Sequence, residues 1–294
     1  MLESNNGELK IIFRSWAGLA SHFIGSCFDI ASPYLDQEYK DVNPLVRFVS
    51  SQLFIDCHLT SESVLILLME GKEWDADILC RSILEGSFKY IYMLLGSPEE
   101  VVEKVEEYWL ILPMFSDIKR SERVSFLLSK LEETEQDKEW EALREQIIDE
   151  TQINLIRSKY NKKQRKAMEE QWSFSGICKY FKDSKQAQLE FLSGLTYSYG
   201  ASSHLLHKDA DGIGMVWERR GRGHDRREAV TLGHTARIIF DICTTTKLRL
   251  SYLLQYYGRD TECINELEIE YAILFEQLNN AAKNFNKVEY PDKI

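Results

Sequence analysis

The chain has 294 residues, of which 44% are hydrophobic and 28% are charged, and its formal net charge is −11. This composition is typical of a globular protein long enough to bury a full core, and it argues against a disordered chain. The acidic balance argues against a protein that coats nucleic acid with its whole surface, although a local basic patch is compatible with it. With only 5 prolines and 15 glycines, the sequence favours long helices over the many turns of an all-β fold.

The cysteines and the N-terminal segment indicate a cytoplasmic protein. The six cysteines form no CxxC pair and no zinc-ligand spacing, which predicts buried, reduced thiols. The N-terminal segment is polar and acidic, without the basic region and apolar core of a signal peptide. No stretch reaches the ~18 uncharged apolar residues of a membrane span. We therefore expect no membrane segment, and no cofactor or metal site is predicted.

Apolar residues recur every three or four positions, which predicts an all-α multi-helix bundle with no substantial sheet. The pattern of the first helix is interrupted at Ser32-Pro33, where we expect the helix to end. Asn43-Pro44 and Ser97-Pro98 are predicted helix starts, each with a capping residue followed by proline at the first helical position. The predicted helices cover residues 9–31, 44–71, 74–95, 172–181, 185–207, 228–257 and 263–284.

The composition changes between residues 98 and 170, where charges of both signs accumulate, as in the run 132–139, and glycine is absent. Such runs are most often solvated helix faces. The prediction is therefore a charged helical insertion over 98–170, offering a surface for a protein partner. The remaining ranges, 1–97 and 171–294, are predicted to form the N-terminal and C-terminal parts of one main bundle. Helical proteins of this kind often dimerise, so a homodimer is a further expectation.

Arg81 and Glu85 stand one helical turn apart on the flank of an apolar helix. Charged side chains in such a place must be paired or face a cavity. One interpretation is an intrahelical salt bridge between the two that fixes helix packing. The other is a polar cleft in which Arg81 binds a phosphate or a carboxylate.

Ser203 and His207 share one face of the predicted helix 185–207, beside its apolar face. They stand one turn apart, so a hydroxyl–imidazole contact is geometrically accessible. The alternative is a histidine that satisfies carbonyl groups at the helix C-terminus. His204 lies off this face and is expected to be exposed. The stretch 207–212 contains an imidazole and two carboxylates, but a helix-terminating turn explains it better than a metal site.

A predicted loop at residues 219–227 is strongly basic in an otherwise acidic chain. Guanidinium groups suit phosphate oxygens, and the start of the following helix also favours anions. The alternative is a loop that pairs with acidic helices of the same protein. The spacing of its first arginine and its histidine also fits the loose Arg/His motif of HEPN-type ribonucleases. The candidate phosphate- or nucleic-acid-binding residues are Arg219, Arg220, Arg222, His224 and Arg226.

Three segments together resemble a family of bacterial helical proteins of unknown function that is often placed near the HEPN-like proteins of defence and toxin systems. They are Cys80 to Glu85, Trp172 to Ser175 leading to Cys178, and Tyr199-x3-Ser203-x3-His207. The resemblance covers about residues 40–257, with 98–170 the least similar part. It implies that Arg81, Glu85, Ser203 and His207 converge on one polar cleft. A standard HEPN nuclease carries its arginine and histidine in one short motif, whereas here the pair is split between distant helices.

Three functions are compatible with these residues. The first is a phosphate- or nucleic-acid-directed protein, such as an effector in antiviral defence or a toxin–antitoxin system that acts on RNA. As a metal-independent ribonuclease it would use His207 as general acid/base, Arg81 and the basic loop to hold phosphates, and Glu85 to orient them. The second is a non-catalytic sensor or binding module for a nucleotide or a partner protein. The third is an interaction protein whose polar pairs serve packing only.

Overall fold

The computed structural model describes residues 6–36, 39, 42–130, 140–184 and 187–291. All regular structure in these ranges is helical, without a strand, which confirms the predicted all-α class. The helices are α1 (Asn6–Asp36), α2 (Pro44–Met69), α3 (Glu73–Leu94), α4 (Pro98–Glu106), α5 (Leu112–Leu128), α6 (Glu141–Arg144), α7 (Glu150–Lys159), α8 (Lys162–Gln171), α9 (Phe174–Asp183), α10 (Ala187–Gly194), α11 (Thr196–His207), α12 (Ala210–Gly221), α13 (His224–Tyr256), α14 (Glu262–Glu270) and α15 (Ala272–Glu289). A π-helical turn, Glu107–Ile111, joins α4 to α5.

Contacts within the chain define two compact units. Unit 1 contains Met1–Leu94 and Cys178–Ile294, and unit 2 contains Leu95–Ile177. The composition of the sequence had suggested divisions after residues 97 and 170, whereas the contacts divide the chain after residues 94 and 177. The acidic run 132–139 lies outside the described residues.

The core of unit 1 is built around α2, α3 and α13, which pack against one another. Helix α1 packs against α2 and α13, and α15 packs on α13. Fully buried aromatic side chains hold these helices together, among them Phe23, Phe54 and Phe88. Phe54 lies 5.8 Å from the ring of Tyr90 in an edge-on contact. Burying a side chain of this size stabilises the fold by about 1.5–3 kcal/mol. The apolar stripes that predicted these helices therefore form the interior of the unit.

Pro33 does not end the first helix, contrary to the prediction, because α1 continues through it to Asp36. A proline removes one backbone donor, but tertiary contacts hold the turn that follows. Leu35 is buried there, and the Ser51 hydroxyl donates a hydrogen bond of 3.1 Å to its carbonyl oxygen. The packing of α1 against α2 thus outweighs the local cost of the proline.

Two predicted single helices are each divided in the structure. The range 185–207 contains α10 and α11, which are separated at Leu195, and its first two residues lie outside the described part. The range 263–284 contains α14 and α15, separated at Tyr271. The Tyr271 hydroxyl lies 3.1 Å from the Ser26 hydroxyl, and its ring meets Phe23 edge-on. Contacts with α1 therefore fix the chain at this junction.

Residues 210–221, over which no helix is predicted, form helix α12, which follows α11 after a sharp turn. Lys208 ends α11 in the left-handed conformation at φ 53°, and Asp209 caps α12 by accepting a hydrogen bond of 2.9 Å from the Gly212 amide. A Cβ atom on Gly212 would lie 2.3 Å from the carbonyl oxygen of His204. Glycine at this position therefore permits the close approach of α12 to the end of α11.

Unit 2 contains short helices with well-formed caps. Ser97 and Glu100 form a reciprocal capping box at the start of α4, which confirms the predicted helix start. The indole nitrogen of Trp172 donates a hydrogen bond of 2.9 Å to the Glu107 carboxylate. The small apolar interior of unit 2 contains Val101, Val105, Phe115, Ile118 and Val124.

Among the described helices, α2 is long and apolar enough to cross a membrane, judged by length and composition only. The same property is shared by core helices of soluble proteins. In this structure α2 packs against α1 and α3, and its sequence includes Arg47, Asp56 and Glu62. We interpret α2 as a core helix of unit 1.

Candidate functional site at the contact of α3 with α11 and α13

Arg81 projects from α3 toward α11 and is held there by uncharged groups. Its Nη2 donates a hydrogen bond of 2.7 Å to the Tyr199 hydroxyl, and its Nη1 donates one of 3.2 Å to Ser203 Oγ. The centre of the guanidinium lies 4.4 Å from the centroid of the Tyr199 ring. Within the described part of the chain, Arg81 forms no ion pair with a carboxylate. A half-buried guanidinium is thus fixed in position by two hydroxyl groups and an aromatic ring.

Glu85 does not pair with Arg81. Its Oε1 accepts a hydrogen bond of 2.8 Å from Lys89, one turn further along α3. An intrahelical salt bridge does exist on this flank, as one of the two interpretations expected, but its partners are Glu85 and Lys89. Among the described residues, Glu85 therefore does not neutralise the charge of Arg81.

The two predicted residues on α11 have different environments. Ser203 accepts the hydrogen bond from Arg81, so the structure brings these two candidates together across two helices. His207 is exposed at the last turn of α11 and has no hydrogen bond or ion pair within the described residues. Neighbouring His204 is exposed, as expected, and its Nδ1 lies 2.7 Å from Asp209 Oδ2. That hydrogen bond and the charge of Asp209 raise the pKa of His204.

Asp77, one turn before Arg81 on α3, is the centre of a buried polar network that the sequence analysis did not identify. Its carboxylate is only 1% exposed. Oδ1 accepts a hydrogen bond of 2.8 Å from Ser202, and Oδ2 accepts bonds of 2.9 Å from His234 Nε2 and 2.7 Å from Arg237. Burial alone would raise the pKa of Asp77, but these partners hold it well below its usual range. The network joins α3, α11 and α13.

His234 links Asp77 to Arg219 and is uncharged at neutral pH. Arg219 Nη1 lies 3.0 Å from His234 Nδ1, and since a guanidinium can only donate, Nδ1 must accept. The ring proton therefore resides on Nε2, which faces Asp77. Burial lowers the pKa of His234 to about 4, even though the hydrogen bond to Asp77 acts in the opposite direction. With both nitrogens occupied, this imidazole positions its neighbours and is not available as a base.

Two arginines close the network. Arg219, at the end of α12, stacks on Trp74 at 3.9 Å and lies 3.5 Å from Glu73 Oε1. Burial is the main cause that lowers its pKa to about 10. Arg237 bridges Asp77 and Asp241, the latter at 3.2 Å. Burial would lower the pKa of Arg237, but the charges of these two carboxylates outweigh it and raise that pKa. Each charge in the buried network has an opposite charge beside it.

The predicted basic loop at 219–227 is wrong as a loop, because α12 extends to Gly221 and α13 begins at His224. Arg222 lies 2.7 Å from Glu218 and 3.0 Å from Glu289, and Arg226 makes two hydrogen bonds, of 2.8 and 3.0 Å, to Glu289. These two arginines therefore pair with acidic residues of the protein's own helices, as the alternative interpretation of this segment expected.

Two further members of the basic segment, Arg220 and His224, are exposed. Arg220 has no ion pair within the described part of the chain. His224 lies 3.2 Å from Asp225 Oδ1. Across the described ranges, no group of three or more His, Cys, Asp or Glu side chains is arranged to hold a metal ion.

The candidate residues thus separate into a buried part and an accessible part. Asp77 and the His234 imidazole form the buried part, with Arg237 partly exposed beside them, and the sequence could have suggested these residues only as polar residues at core spacing on α3 and α13. Arg81 and Ser203 are half-buried, and Arg81 has no carboxylate partner among the described residues. What the arrangement offers chemically is a rigid cation and a hydroxyl group presented to an anion.

Comparison with known proteins gives one family. Residues 47–224, more than half of the chain, match the model of a family described as "Family of unknown function (DUF5677)". The chain therefore belongs to this family. No curated protein and no solved structure matches. The matched range contains α3, α11 and α12, and hence Asp77, Arg81, Ser203 and Arg219.

Proposed function

We propose that this member of the DUF5677 family binds a phosphate-bearing ligand at Arg81, and that the ligand is RNA. The observation that carries the proposal is the environment of Arg81, whose guanidinium is fixed by Tyr199 and Ser203 and, in the part of the chain that the structure describes, has no carboxylate beside it. The N–H groups not used by these two partners suit phosphate oxygens. Because Arg81 is already ordered, binding costs less conformational entropy than it would for a mobile side chain.

The Asp77 network supports this proposal because it holds together the helices that carry the site. It ties α3 to α11 through Ser202 and to α13 through His234 and Arg237. Ser202 immediately precedes Ser203, so the same contact that fixes Ser202 also limits the movement of its neighbour. The stable buried charges thereby hold the accessible cation and hydroxyl in one geometry.

The outer face of α12 favours RNA over an isolated phosphate. Trp217 is 73% exposed, and Ile213 lies one turn before it on the same face. Arg220, one turn after Trp217, is also exposed. An exposed aromatic ring can stack on an unpaired base while a nearby arginine binds the backbone. We therefore expect single-stranded RNA to bind more tightly than inorganic phosphate.

Cleavage of RNA through its 2′-hydroxyl group is part of the same hypothesis. His207, one turn beyond Ser203, is an exposed imidazole on the same face of this helix and would act as general acid/base, with Arg81 stabilising charge on the phosphate. A cytoplasmic role as a defence or toxin-like effector, and a relation to HEPN-like proteins, belong to this proposal. We also propose that unit 2 contacts a protein partner, since Phe126 and Leu155 are largely exposed there.

A second candidate is a non-catalytic binding module for RNA or a nucleotide. The state of the two histidines favours this function, because neither is prepared to act as a general base. No described residue orients His207, and both ring nitrogens of His234 already form hydrogen bonds. General bases in enzymes are normally oriented by a further group. In this case the same site binds its ligand without cutting it.

Fluorescence anisotropy with a labelled single-stranded RNA of about a dozen nucleotides tests the site. Arg81→Met should weaken binding at least about tenfold, which corresponds to about 1.4 kcal/mol. The matched control is Arg14→Met, since Arg14 is an exposed arginine of unit 1 paired with Glu70 at 3.0 Å. Unchanged affinity of a correctly folded Arg81→Met variant would refute the proposed site.

Gel analysis of the same RNA after prolonged incubation separates the two candidates. Cleavage by the parent protein but not by His207→Ala would support the ribonuclease. Binding without cleavage by either protein would favour the binding module. If the parent protein does not bind RNA at all, RNA is excluded as the ligand.

A further inference from the structure

A cavity of about 350 Å³ lies where α14 meets α15 on the side of α13. Small-molecule sites in proteins have volumes from about 300 Å³ upward. The cavity belongs to unit 1, and none of the residues around it takes part in the Arg81 site or in the Asp77 network. Binding of a ligand in this cavity is therefore independent of the proposed binding of RNA.

One wall of the cavity is a single stripe of α13. Phe240, Thr244 and Lys247 follow one another at intervals of four and three residues, so they project from the same face. The opposite wall is supplied by Glu268 of α14 and Phe275 of α15. The site thus combines two aromatic rings with a hydroxyl, an ammonium and a carboxylate.

The aromatic part of the cavity is rigid on one side. Phe275 is held edge-on against the buried ring of Phe23, with centroids 5.4 Å apart. Phe240 is 43% exposed and leaves part of its ring uncovered. Both rings line the cavity, and aromatic rings prefer edge-on or offset contacts with other rings, which favours an aromatic ligand here.

The polar groups form a pair of opposite charges with an unused hydroxyl beside it. Lys247 Nζ forms an ion pair with Glu268 Oε1, and both side chains are partly exposed. The Thr244 hydroxyl makes no hydrogen bond within the described part of the chain. A partly exposed ion pair contributes little, so its members can change partners at small cost. A ligand with one charge of each sign would satisfy both members of the pair.

We propose that this cavity binds a small zwitterion that carries a single aromatic ring. The ligand's carboxylate accepts hydrogen bonds from Lys247 Nζ and the Thr244 hydroxyl, and its ammonium group donates to the Glu268 carboxylate. Its ring lies between Phe240 and Phe275. A ligand that carries only one charge would leave either Lys247 or Glu268 without a new partner, and this selects for the zwitterion.

Saturation-transfer NMR on the full chain tests this proposal with L-phenylalanine as the probe. Phenylacetate, which lacks the ammonium group, and phenethylamine, which lacks the carboxylate, are the comparison probes. For a ligand of this size, a dissociation constant on the order of 1 mM is expected. Each comparison probe should bind at least about fivefold more weakly, since one of the two charge contacts is lost.

Two variants link binding to the cavity. Ala272→Trp fills it, because Ala272 also lines it, and should abolish binding, whereas Ala282→Trp on the same helix, away from the cavity, should not. Thr244→Val keeps the volume but removes the hydroxyl, and should weaken binding about threefold or more. Near-UV circular dichroism verifies that each variant is folded.

Several outcomes would overturn the proposal. They are the absence of phenylalanine binding at about ten times the expected dissociation constant, equal binding of all three probes, or unchanged binding by the folded Ala272→Trp variant. If Ala272→Trp does not fold, unchanged binding by Thr244→Val decides against the proposal. None of these results affects the RNA proposal, which depends on Arg81.

Discussion

The buried imidazole of His234 predicts that the protein loses stability in mildly acidic solution. Its pKa is lowered from 6.5 to about 4 in the folded protein, chiefly by burial, whereas in the unfolded chain it returns to about 6.5. The unfolded state therefore binds a proton first as the pH falls, and the free energy of unfolding decreases between about pH 6.5 and pH 4. The gap between the two values corresponds to a loss of about 3 kcal/mol.

Urea denaturation followed by far-UV circular dichroism at about pH 7 and about pH 4.5 measures this loss. His234→Gln removes the titrating group but keeps a donor for Asp77 and an acceptor for Arg219, so its stability should depend much less on pH. His22→Gln is the control, since His22 is exposed on α1. Asp77, whose pKa is well below its usual range, contributes in a more acidic window. Equal pH dependence in the parent protein and His234→Gln would refute the reasoning.

Urea denaturation at neutral pH tests three further expectations. Asp77→Ala removes the acceptor of three hydrogen bonds and should cost about 3–5 kcal/mol, and a loss under 1 kcal/mol would contradict a buried network. Glu289→Gln should lower the free energy of unfolding by about 1–2 kcal/mol, because Arg222 and Arg226 lose their common charged partner. Unchanged stability would show that these ion pairs do not stabilise the fold. Gly233→Ala should cost about 1–3 kcal/mol, since its Cβ would lie 2.8 Å from Phe285 Cβ. Gly18→Ala is the control, with open space around the new methyl group, and should be neutral or stabilising by up to about 1 kcal/mol.

The fold class and the helix starts could be predicted from the sequence because they depend on local properties. The three-to-four-residue spacing of apolar residues gave the helices of the core, and Asn43 caps α2 as predicted, with its side chain accepting from the Leu45 and Val46 amides. The breaks in the last helices depend on distant contacts instead. Tyr271 interrupts a continuous helical pattern because it packs against α1, which no local signal indicates.

The candidate site was predictable only in part for the same reason. Arg81 and Ser203 stood out as polar residues next to apolar helix faces, and the structure places their side chains 3.2 Å apart. Asp77 and His234 lie 157 positions apart in the sequence, and their pairing requires the packing of α3 against α13. The basic segment 219–227 was distinct in composition, but composition does not show that two of its arginines share one carboxylate.

The division of unit 1 into two separate stretches of the chain has a consequence for work with isolated fragments. The family match begins within α2 and ends at the first residue of α13, so it omits α1 and nearly all of α13. Those two helices cover apolar faces of α2 and α3, and α13 supplies His234 and Arg237 to Asp77. A fragment cut at the limits of the match would carry Arg81 and Ser203 but would expose the core on which they rest. The smallest folded form of the site therefore has to include both α1 and α13.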